Sequence, residues 1–186
     1  MNFSAVILAG GKSSRMGRDK AWLEIGGQTL LARQIQLARE VGAEEIYISG
    51  RENADYSGPG CHVLRDGFHD IGPLAGIERA LDATTAGLVL VLAVDLPQMS
   101  AEFLHGLAED CSEMRGAVPK LANHIEPLVA FYPKSAHKLA TAQITAGRFA
   151  AKDFARQCVQ LGLARFIELE TGASGLFMNW NSPADL

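Results

Sequence analysis

The sequence is poor in features that would point to a secreted, membrane-bound or nucleic-acid-binding protein. Its 186 residues include three cysteines and 7% aromatic residues, and the formal net charge is −4. The odd, widely spaced cysteines have no Cys-x-x-Cys pair, which indicates reduced thiols rather than a disulfide framework or a zinc site. The negative charge argues against a broad nucleic-acid surface. No membrane-length apolar run or signal-like segment is present, so we expect a cytoplasmic protein with a small ligand, no nucleic acid and no membrane.

What the sequence does contain is a regular alternation of apolar and amphipathic segments. In the first half, we predict strands at residues 4–9, 45–49, 62–65 and 88–94 and helices at 28–41 and 72–83. In the second half, we predict strands at 116–119, 128–132 and 164–168, helices at 135–146 and 151–161, and a helix start at Ser182-Pro183. Residues 88–94 are apolar without interruption, as in a central parallel strand. The alternation predicts a single-domain α/β fold, a doubly wound, mostly parallel sheet with helices on both faces.

The first predicted strand runs directly into a glycine-rich loop that carries several cations. Gly10 and Gly11 have no side chains, so their backbone N–H groups can approach an anion closely. The cations that follow are Lys12, Arg15, Arg18 and Lys20. Such a loop predicts a phosphate-binding site, and a nucleoside triphosphate is the expected ligand.

Two common phosphate-binding motifs do not fit this loop. A Walker A motif needs a glycine five residues before Gly11, where the chain has Val6. A dinucleotide-binding fingerprint needs Gly-x-Gly-x-x-Gly, whereas Gly10 and Gly11 are adjacent and the next glycine is Gly17. The loop therefore belongs to neither class.

Asp95 is the first carboxylate after the apolar run 88–94. In open α/β sheets, ligands bind beyond the carboxyl ends of the strands, so the loops 10–20, 66–76 and 95–97 should meet at one edge. A carboxylate there suits Mg²⁺ in a site that also holds triphosphate oxygens. Because Ser100 is better placed to cap the following helix, we predict that Asp95 is the metal ligand.

Four segments of the chain carry a family pattern. They are Leu8-Ala9-Gly10-Gly11-x-Ser13-x-Arg15-Met16-Gly17-x-Asp19-Lys20, Gly72-Pro73-Leu74-Ala75-Gly76, Asp95-Leu96-Pro97 and Asn179-Trp180-Asn181-Ser182-Pro183. Over nearly the whole chain, this pattern resembles the MobA-type molybdenum cofactor guanylyltransferases, with a serine at position 182 where the family has threonine. Sugar-nucleotide pyrophosphorylases and cytidylyltransferases are similar more weakly and generally have Leu-Ala-Ala-Gly in the first segment.

The resemblance implies a magnesium-dependent transfer of GMP from GTP to the phosphate of molybdenum-molybdopterin, with release of pyrophosphate. It implies that Arg15, Lys20 and Asp95 are catalytic and that Asp95 binds the metal. The implied nucleotide-binding residues are Leu8, Ala9, Gly10, Gly11, Lys12, Ser13, Ser14, Arg15, Lys20, Asp66 and Asp95. The implied acceptor-binding residues are Gly76, Arg148, Asn179 and Asn181. Within one domain over residues 1–186, residues 1–100 would then mainly bind the nucleotide and residues 101–186 the acceptor.

Two other functions stay open at this point. One is a cytidylyltransferase of the same fold acting on molybdopterin or another phosphorylated acceptor, and the other is a non-catalytic nucleotide-binding or partner-binding protein. The Leu-Ala-Gly-Gly sequence favours guanylyl transfer over the first, and Asp95 together with Lys20 argues against the second. The family often has a nucleotide-contacting asparagine after position 48, where this chain reads Ser49-Gly50-Arg51-Glu52-Asn53. Proteins that deliver the cofactor or receive it for molybdoenzymes are the expected protein partners.

Overall fold

The most apolar segments of the chain form the strands of the central sheet. We analysed a computed structural model, which describes residues 1–10, 20–50, 56, 60–65 and 71–178. The strands of these residues are β1 (Phe3–Leu8), β2 (Glu24–Ile25), β3 (Gln28–Thr29), β4 (Ile46–Ser49), β5 (His62–Leu64), β6 (Leu88–Ala93), β7 (Gly116–Leu121), β8 (His124–Ile125), β9 (Val129–Pro133) and β10 (Ala164–Leu169). The α-helices are α1 (Leu30–Glu40), α2 (Pro73–Ala83), α3 (Ala101–Glu109), α4 (His137–Thr145) and α5 (Ala151–Gln160). Short 3₁₀ helices span Lys20–Trp22, Lys134–Ala136 and Thr171–Phe177.

Five strands form the main sheet in the order β5-β4-β1-β6-β9. The first four are parallel, and β9 runs antiparallel to β6 at the edge. The strand order reverses between β1 and β6, because the chain first builds outward through β4 and β5 and then returns to the other side of β1. A second sheet, β10-β7-β8, and a small β2-β3 hairpin complete the sheets of the described residues. Since β9 belongs to the second half of the chain, both halves contribute to one sheet.

Helices cover both faces of the main sheet. On one face, α1 and α3 pack Leu31, Ile35 and Leu104 against Ile7 of β1 in one buried cluster. On the other face, α2, α4 and α5 form a second buried cluster whose members include Leu74, Ala140 and Phe154. Buried apolar surface of this kind is the main stabilising contribution to such a fold. The predicted doubly wound α/β architecture is confirmed.

The predicted strands and helices of the described residues agree with the structure within two residues at each end, but one prediction was wrong in kind. Residues 28–29, predicted as the start of a helix, form β3 and pair with β2. Gly26 and Gly27 make the connecting turn with φ of 58° and 79°, a conformation that favours glycine. The helix begins after Thr29, whose hydroxyl accepts a hydrogen bond from the Ala32 N–H at 3.1 Å.

Several further elements were not predicted, among them β2, β8 and the 3₁₀ helices Lys20–Trp22 and Thr171–Phe177. β8 has only two residues and leaves too short a pattern to recognise, and the 3₁₀ helix Thr171–Phe177 has no apolar periodicity. The helix predicted to start at Ser182 lies outside the described residues. None of the helices in the described part of the chain has the length and apolar character that a membrane span requires.

Candidate active site at the carboxyl edge of the sheet

The carboxyl ends of β1, β4 and β6 lie side by side and define the edge where the predicted site residues fall. Leu8 at the end of β1 is in register with Ser49 of β4 and with Ala93 of β6. The Ala9 and Gly10 N–H groups both donate to the Ser49 carbonyl, at 2.8 and 3.1 Å. The first residues of the glycine-rich loop are therefore anchored to the neighbouring strand.

This anchoring changes the role expected of Gly10. Its N–H, predicted to close on a phosphate, instead donates to the Ser49 carbonyl, because the chain continues the β1-β4 ladder by two residues. A Cβ added to Gly10 would approach the backbone of Gly50 no closer than 3.6 Å, an ordinary contact. Packing against the described residues therefore does not demand a glycine here, and close approach of a ligand remains a reason for one.

Asp95 follows β6 in a turn that is fixed by buried neighbours. The Val94 N–H donates to the Leu8 carbonyl at 3.2 Å, which extends the β1-β6 pairing by one step. Val94 and Leu96 on either side of Asp95 are 5% and 4% exposed. The Ser100 hydroxyl accepts from the Phe103 N–H at 3.2 Å and caps α3, as predicted, so Asp95 is not used as a cap.

Lys20 and Asp95, which are far apart in sequence, form an ion pair at this edge. The Lys20 Nζ lies 3.0 Å from the Asp95 Oδ2, and the two side chains are 21% and 22% exposed. Lys20 begins the first 3₁₀ helix, in which its carbonyl accepts from the Leu23 N–H at 3.1 Å. The structure thus brings together two of the three predicted catalytic residues, at the point where the strand order reverses.

Helix α1 holds the turn that carries Asp95. The buried Gln34 donates through Nε2 to the Leu96 carbonyl at 2.8 Å, and Arg33 donates through Nη2 to the Pro97 carbonyl at 3.1 Å. Neither residue was predicted. The available signal was a glutamine at a position of the core-facing stripe of α1, otherwise occupied by leucine, isoleucine and alanine.

Several predicted site residues lie outside the described residues, and their roles stay predictions. They are Gly11, Lys12, Ser13, Ser14, Arg15, Asn53, Asp66, Asn179 and Asn181. Phe177, shortly before Asn179, packs edge-on against Phe103 in the first turn of α3, with ring centroids 5.5 Å apart. The described chain therefore brings Phe177 next to the first turn of α3.

The two described residues predicted to bind the acceptor lie in different settings. Gly76 is buried within α2, and a Cβ there would lie 2.3 Å from the Ser49 Oγ and 2.8 Å from the Leu8 Cδ2. Helix packing against the sheet accounts for this glycine without any ligand. Arg148 is exposed in the connection between α4 and α5, where its backbone N–H donates to the Gln143 carbonyl at 2.9 Å.

A polar cluster of the second half lies beside the same edge. The Ala93 N–H donates to the Leu128 carbonyl at 2.9 Å, which places residues 126–128 at the carboxyl end of β6. The His124 Nε2 lies 3.0 Å from the Lys152 Nζ and 3.5 Å from the Glu126 Oε1. Burial raises the pKa of the Glu126 carboxyl above its ordinary value, against the opposing charges of His124 and Lys152.

The described residues fit a magnesium ion that is shared with a substrate better than an ion held by protein alone. Among them, no three His, Cys, Asp or Glu side chains are grouped to hold a metal. Mg²⁺ usually takes one or two carboxylates and completes its coordination with water and substrate phosphates. Asp95 is a partly exposed carboxylate beside Lys20, whose ammonium group suits phosphate oxygens, so it meets this requirement.

A doubly wound α/β sheet with a lysine-carboxylate pair at its switch point belongs to the class of α/β proteins that bind ligands beyond the carboxyl ends of their strands. Residues 5–161 match the sequence profile of the MobA-like NTP transferase domain. The chain therefore belongs to the MobA-like NTP transferase family, and the family resemblance predicted from its sequence is confirmed.

Curated relatives match the chain over nearly its full length. A protein of Opitutus terrae named "Probable molybdenum cofactor guanylyltransferase" is 37% identical over 185 residues, which are 98% of this chain and 92% of that protein. A protein of Carboxydothermus hydrogenoformans with the same name is 33% identical over 186 residues, which are 99% of this chain and 93% of that protein.

Solved structures share the fold at lower identity. A nucleotidyl transferase from Methanothermobacter superposes with a TM-score of 0.79 at 20% identity, covering 99% of this chain and 94% of that one. The molybdopterin-guanine dinucleotide biosynthesis protein A of Archaeoglobus fulgidus superposes with a TM-score of 0.70 at 21% identity, covering 98% and 94%. A cytidylyltransferase of Thermus thermophilus gives 0.72 at 24% identity, covering 100% and 95%, so the fold alone does not choose the base.

Proposed function

We propose that this protein transfers GMP from GTP to the phosphate of molybdenum-molybdopterin and releases pyrophosphate. The observation that carries the proposal is the Lys20-Asp95 pair, 3.0 Å apart at the switch point of the sheet. Membership of the MobA-like NTP transferase family and the names of the curated relatives support the choice of guanine and of the acceptor.

The reaction requires one bond to form and one to break at the α-phosphorus of GTP. An oxygen of the acceptor phosphate bonds to the α-phosphorus, and the bond to the oxygen that bridges the α- and β-phosphates breaks. Pyrophosphate leaves with the electron pair of that bond. A phosphate monoester is already anionic near neutral pH, so no side chain has to remove a proton from the acceptor.

Lys20 and Arg15 are proposed to bind the triphosphate and to neutralise the charge that develops on pyrophosphate. A lysine is a mobile point charge, whereas an arginine offers a planar fork for two phosphate oxygens. Lys20 is held for this role by the 3₁₀ helix that it begins and by Asp95. Preorganised charges are effective here because they do not have to reorient during the reaction.

Asp95 is proposed to be the protein ligand of Mg²⁺. When bound, this ion would supply positive charge that stabilises the negative charge of the triphosphate. The acceptor is proposed to contact Arg148, Asn179 and Asn181. Arg148 supports this through its exposed position in the connection between α4 and α5, a connection that also leads to Lys152 at the start of α5.

Asp95→Asn tests the metal ligand. We expect turnover to fall about a hundredfold or more with the fold intact, as loss of a preorganised charge usually does. Formation of the guanine dinucleotide cofactor can be followed by chromatography, and folding by circular dichroism. Asp82→Asn is the matched control, because Asp82 lies at the exposed end of α2 in an ion pair with Arg79 and should leave transfer unchanged. Wild-type transfer by folded Asp95→Asn protein would reject the assignment.

The nucleotide base is tested by thermal shift in the presence of Mg²⁺. A ligand that binds the folded protein raises its apparent stability with the logarithm of ligand concentration over Kd. GTP should therefore raise the melting temperature more than CTP at equal concentration. A larger shift with CTP would favour the cytidylyltransferase alternative.

A further inference from the structure

A buried glutamine on α1 makes a side-chain hydrogen bond that ends next to the proposed metal ligand. Gln34 is 2% exposed, and its Nε2 donates to the Leu96 carbonyl at 2.8 Å. Its Oε1 is buried without a hydrogen-bond partner in the described part of the chain. Leu96 directly follows Asp95 in sequence. The amide therefore connects the core of α1 with the turn that presents the carboxylate.

An apolar side chain would fill the position of Gln34 without leaving a buried oxygen unpaired. The neighbouring core positions of α1 are occupied by Leu30, Leu31, Ile35 and Ala38. Burying an amide oxygen without a partner costs free energy, because its hydrogen bonds with water are lost. The glutamine instead supplies a hydrogen bond to the Leu96 carbonyl, which an apolar side chain could not supply.

The turn after Asp95 is tied at two successive carbonyls. The Leu96 carbonyl accepts from Gln34 and also from the Met99 N–H at 3.2 Å, which uses both of its lone pairs. The Pro97 carbonyl accepts from the Arg33 guanidinium at 3.1 Å. Consecutive residues of one helix thus hold consecutive residues of the turn, which limits how far the Asp95 backbone can move.

The same helix is also tied to the segment of Lys20. The Leu30 N–H at the start of α1 donates to the Leu23 carbonyl at 2.8 Å, and the Leu23 N–H donates to the Lys20 carbonyl at 3.1 Å. The first two turns of α1 are therefore hydrogen-bonded to residues next to Asp95 and, through Leu23, to the backbone of Lys20. One helix thus supports the backbone of both segments that carry the charges.

We propose that Gln34 is a positioning residue for Asp95, and that through the Leu96 carbonyl it fixes the carboxylate where magnesium and the triphosphate meet. Arg33 supports the same turn at Pro97. The role rests on the proposed function, since it assigns Gln34 to the nucleotide half of that reaction. Outer residues that orient a metal ligand typically change metal affinity or activity by about ten- to a hundredfold when they are replaced.

Gln34→Leu removes the donor and keeps the volume and the burial. We expect the Mg²⁺ concentration that gives half of the GTP-induced thermal shift to rise about tenfold or more. We expect kcat to fall by a similar factor, with little change in the KM for GTP at saturating Mg²⁺. Gln34→Glu keeps the shape of the side chain but not the donor when ionised, and it should shift both measurements in the same direction.

Gln143→Leu is the matched control. Gln143 is fully buried in α4 on the opposite side of the sheet, and neither Nε2 nor Oε1 has a hydrogen-bond partner in the part of the chain that the structure describes. The same substitution should therefore leave the Mg²⁺ requirement unchanged. A wild-type Mg²⁺ requirement in folded Gln34→Leu protein, or an equal shift in Gln143→Leu, would overturn the positioning role.

Two measurements keep the test decisive. If Gln34→Leu does not fold, Arg33→Met removes the donor to Pro97 from a partly exposed position, and an unchanged Mg²⁺ requirement there would overturn the proposal. The thermal shift with GTP needs no acceptor, so it is independent of the transfer reaction. Failure of the wild-type protein to transfer GMP, with Mg²⁺-dependent GTP binding intact and weakened by Gln34→Leu, would reject the proposed function and support the role of Gln34.

Discussion

Polar side chains at the amino edge of the five-stranded sheet bond to one another around a single carboxylate, whereas those at the carboxyl edge include an ion pair that we propose to serve a ligand. Ser4 and Thr84, both fully buried, share a hydrogen bond of 2.8 Å. The Glu45 Oε2 accepts from the hydroxyls of Tyr47, Thr85 and Ser4 at 2.8, 3.2 and 3.3 Å. The carboxyl edge has Lys20 and Asp95 in mostly buried positions, and among the described residues only the Nε2 end of the nearby Gln34 amide has a hydrogen-bond partner.

We expect the amino edge to serve mainly the stability of the fold and the carboxyl edge to serve mainly its activity. A closed network of hydroxyls around one carboxylate stabilises the ends of the strands and has no remaining donor to offer a substrate. Charges and amides held by a helix beside a glycine-rich loop can instead be used for phosphate chemistry. Substitutions at the amino edge should therefore change unfolding, and substitutions at the carboxyl edge should change catalysis.

After Asp95→Asn, the largest effect should come from Lys20→Met, which removes the charge and keeps the stem of the side chain. We expect kcat to fall about a hundredfold, as for loss of one preorganised charge on a phosphoryl group. The melting temperature should fall only modestly, because Asp95 keeps some contact with solvent and can be hydrated when its partner is lost. Lys138→Met, at an exposed position of α4, should behave like the wild type in both assays. Equal turnover of the Lys20 and Lys138 variants would remove Lys20 from the site.

A pair of glycines provides a sharper comparison within the carboxyl edge itself. Gly76→Ala places a methyl group 2.3 Å from the Ser49 Oγ, so the gain in helix propensity should be outweighed, with a net loss of about 1–2 kcal/mol in the free energy of unfolding. Gly10→Ala meets no described atom closer than 3.6 Å and should leave stability within about 0.5 kcal/mol. It should instead raise the KM for GTP about tenfold, because the methyl group occupies space next to the nucleotide.

Denaturant unfolding and steady-state kinetics of the two variants test this comparison. A Gly10 variant that loses stability with an unchanged KM would show that the glycine serves packing. A Gly76 variant with wild-type stability would show that α2 can move away from β1 and β4, which the buried contacts of Gly76 argue against.

The sequence predicted the parts of the site that have local patterns. Asp95 was recognised because an uninterrupted apolar strand ends just before it, and the glycine-rich loop because its glycines and cations are adjacent in the chain. The meeting of the loops that carry Lys20 and Asp95 was expected from the rule that parallel strands present their carboxyl ends at one edge, whereas the ion pair itself is seen only in the structure. These are properties of neighbouring residues or of topology, so one sequence is enough to find them.

Other parts of the fold and site depend on contacts that no local pattern encodes. The bond from Gln34 to the Leu96 carbonyl joins residues on different elements, and only the packed structure shows that they meet. The N–H of Gly10 donates to Ser49 because β1 continues to pair beyond its apolar residues. Gly76 fits the family pattern of a site segment, yet its burial against Ser49 and Leu8 is a packing requirement.

The smallest expected effect is on the pH dependence of the free energy of unfolding, through the carboxyl group of Glu45 at the amino edge. The hydrogen bond from the Tyr47 hydroxyl is the largest cause that lowers the pKa of Glu45 below its ordinary value, with further hydrogen bonds from Thr85 and Ser4 and an opposing effect of burial. Burial and the Glu45 carboxylate raise the pKa of Tyr47 to about 12, so this hydroxyl stays a donor through the acid and neutral range.

A carboxyl whose pKa is lower in the folded state adds stability that is fully present above its unfolded pKa of about 4.3 and is lost as the pH falls through the folded value. Tyr47→Phe removes the main cause of the shift, so the free energy of unfolding should decline less steeply below about pH 4 than in the wild type. Urea unfolding between about pH 2.5 and 6 measures both slopes. GMP transfer at neutral pH should be the same in both proteins, because Tyr47 lies at the edge away from Asp95. Identical acid slopes would show that Tyr47 does not control Glu45, and a loss of transfer would show that the two edges are coupled.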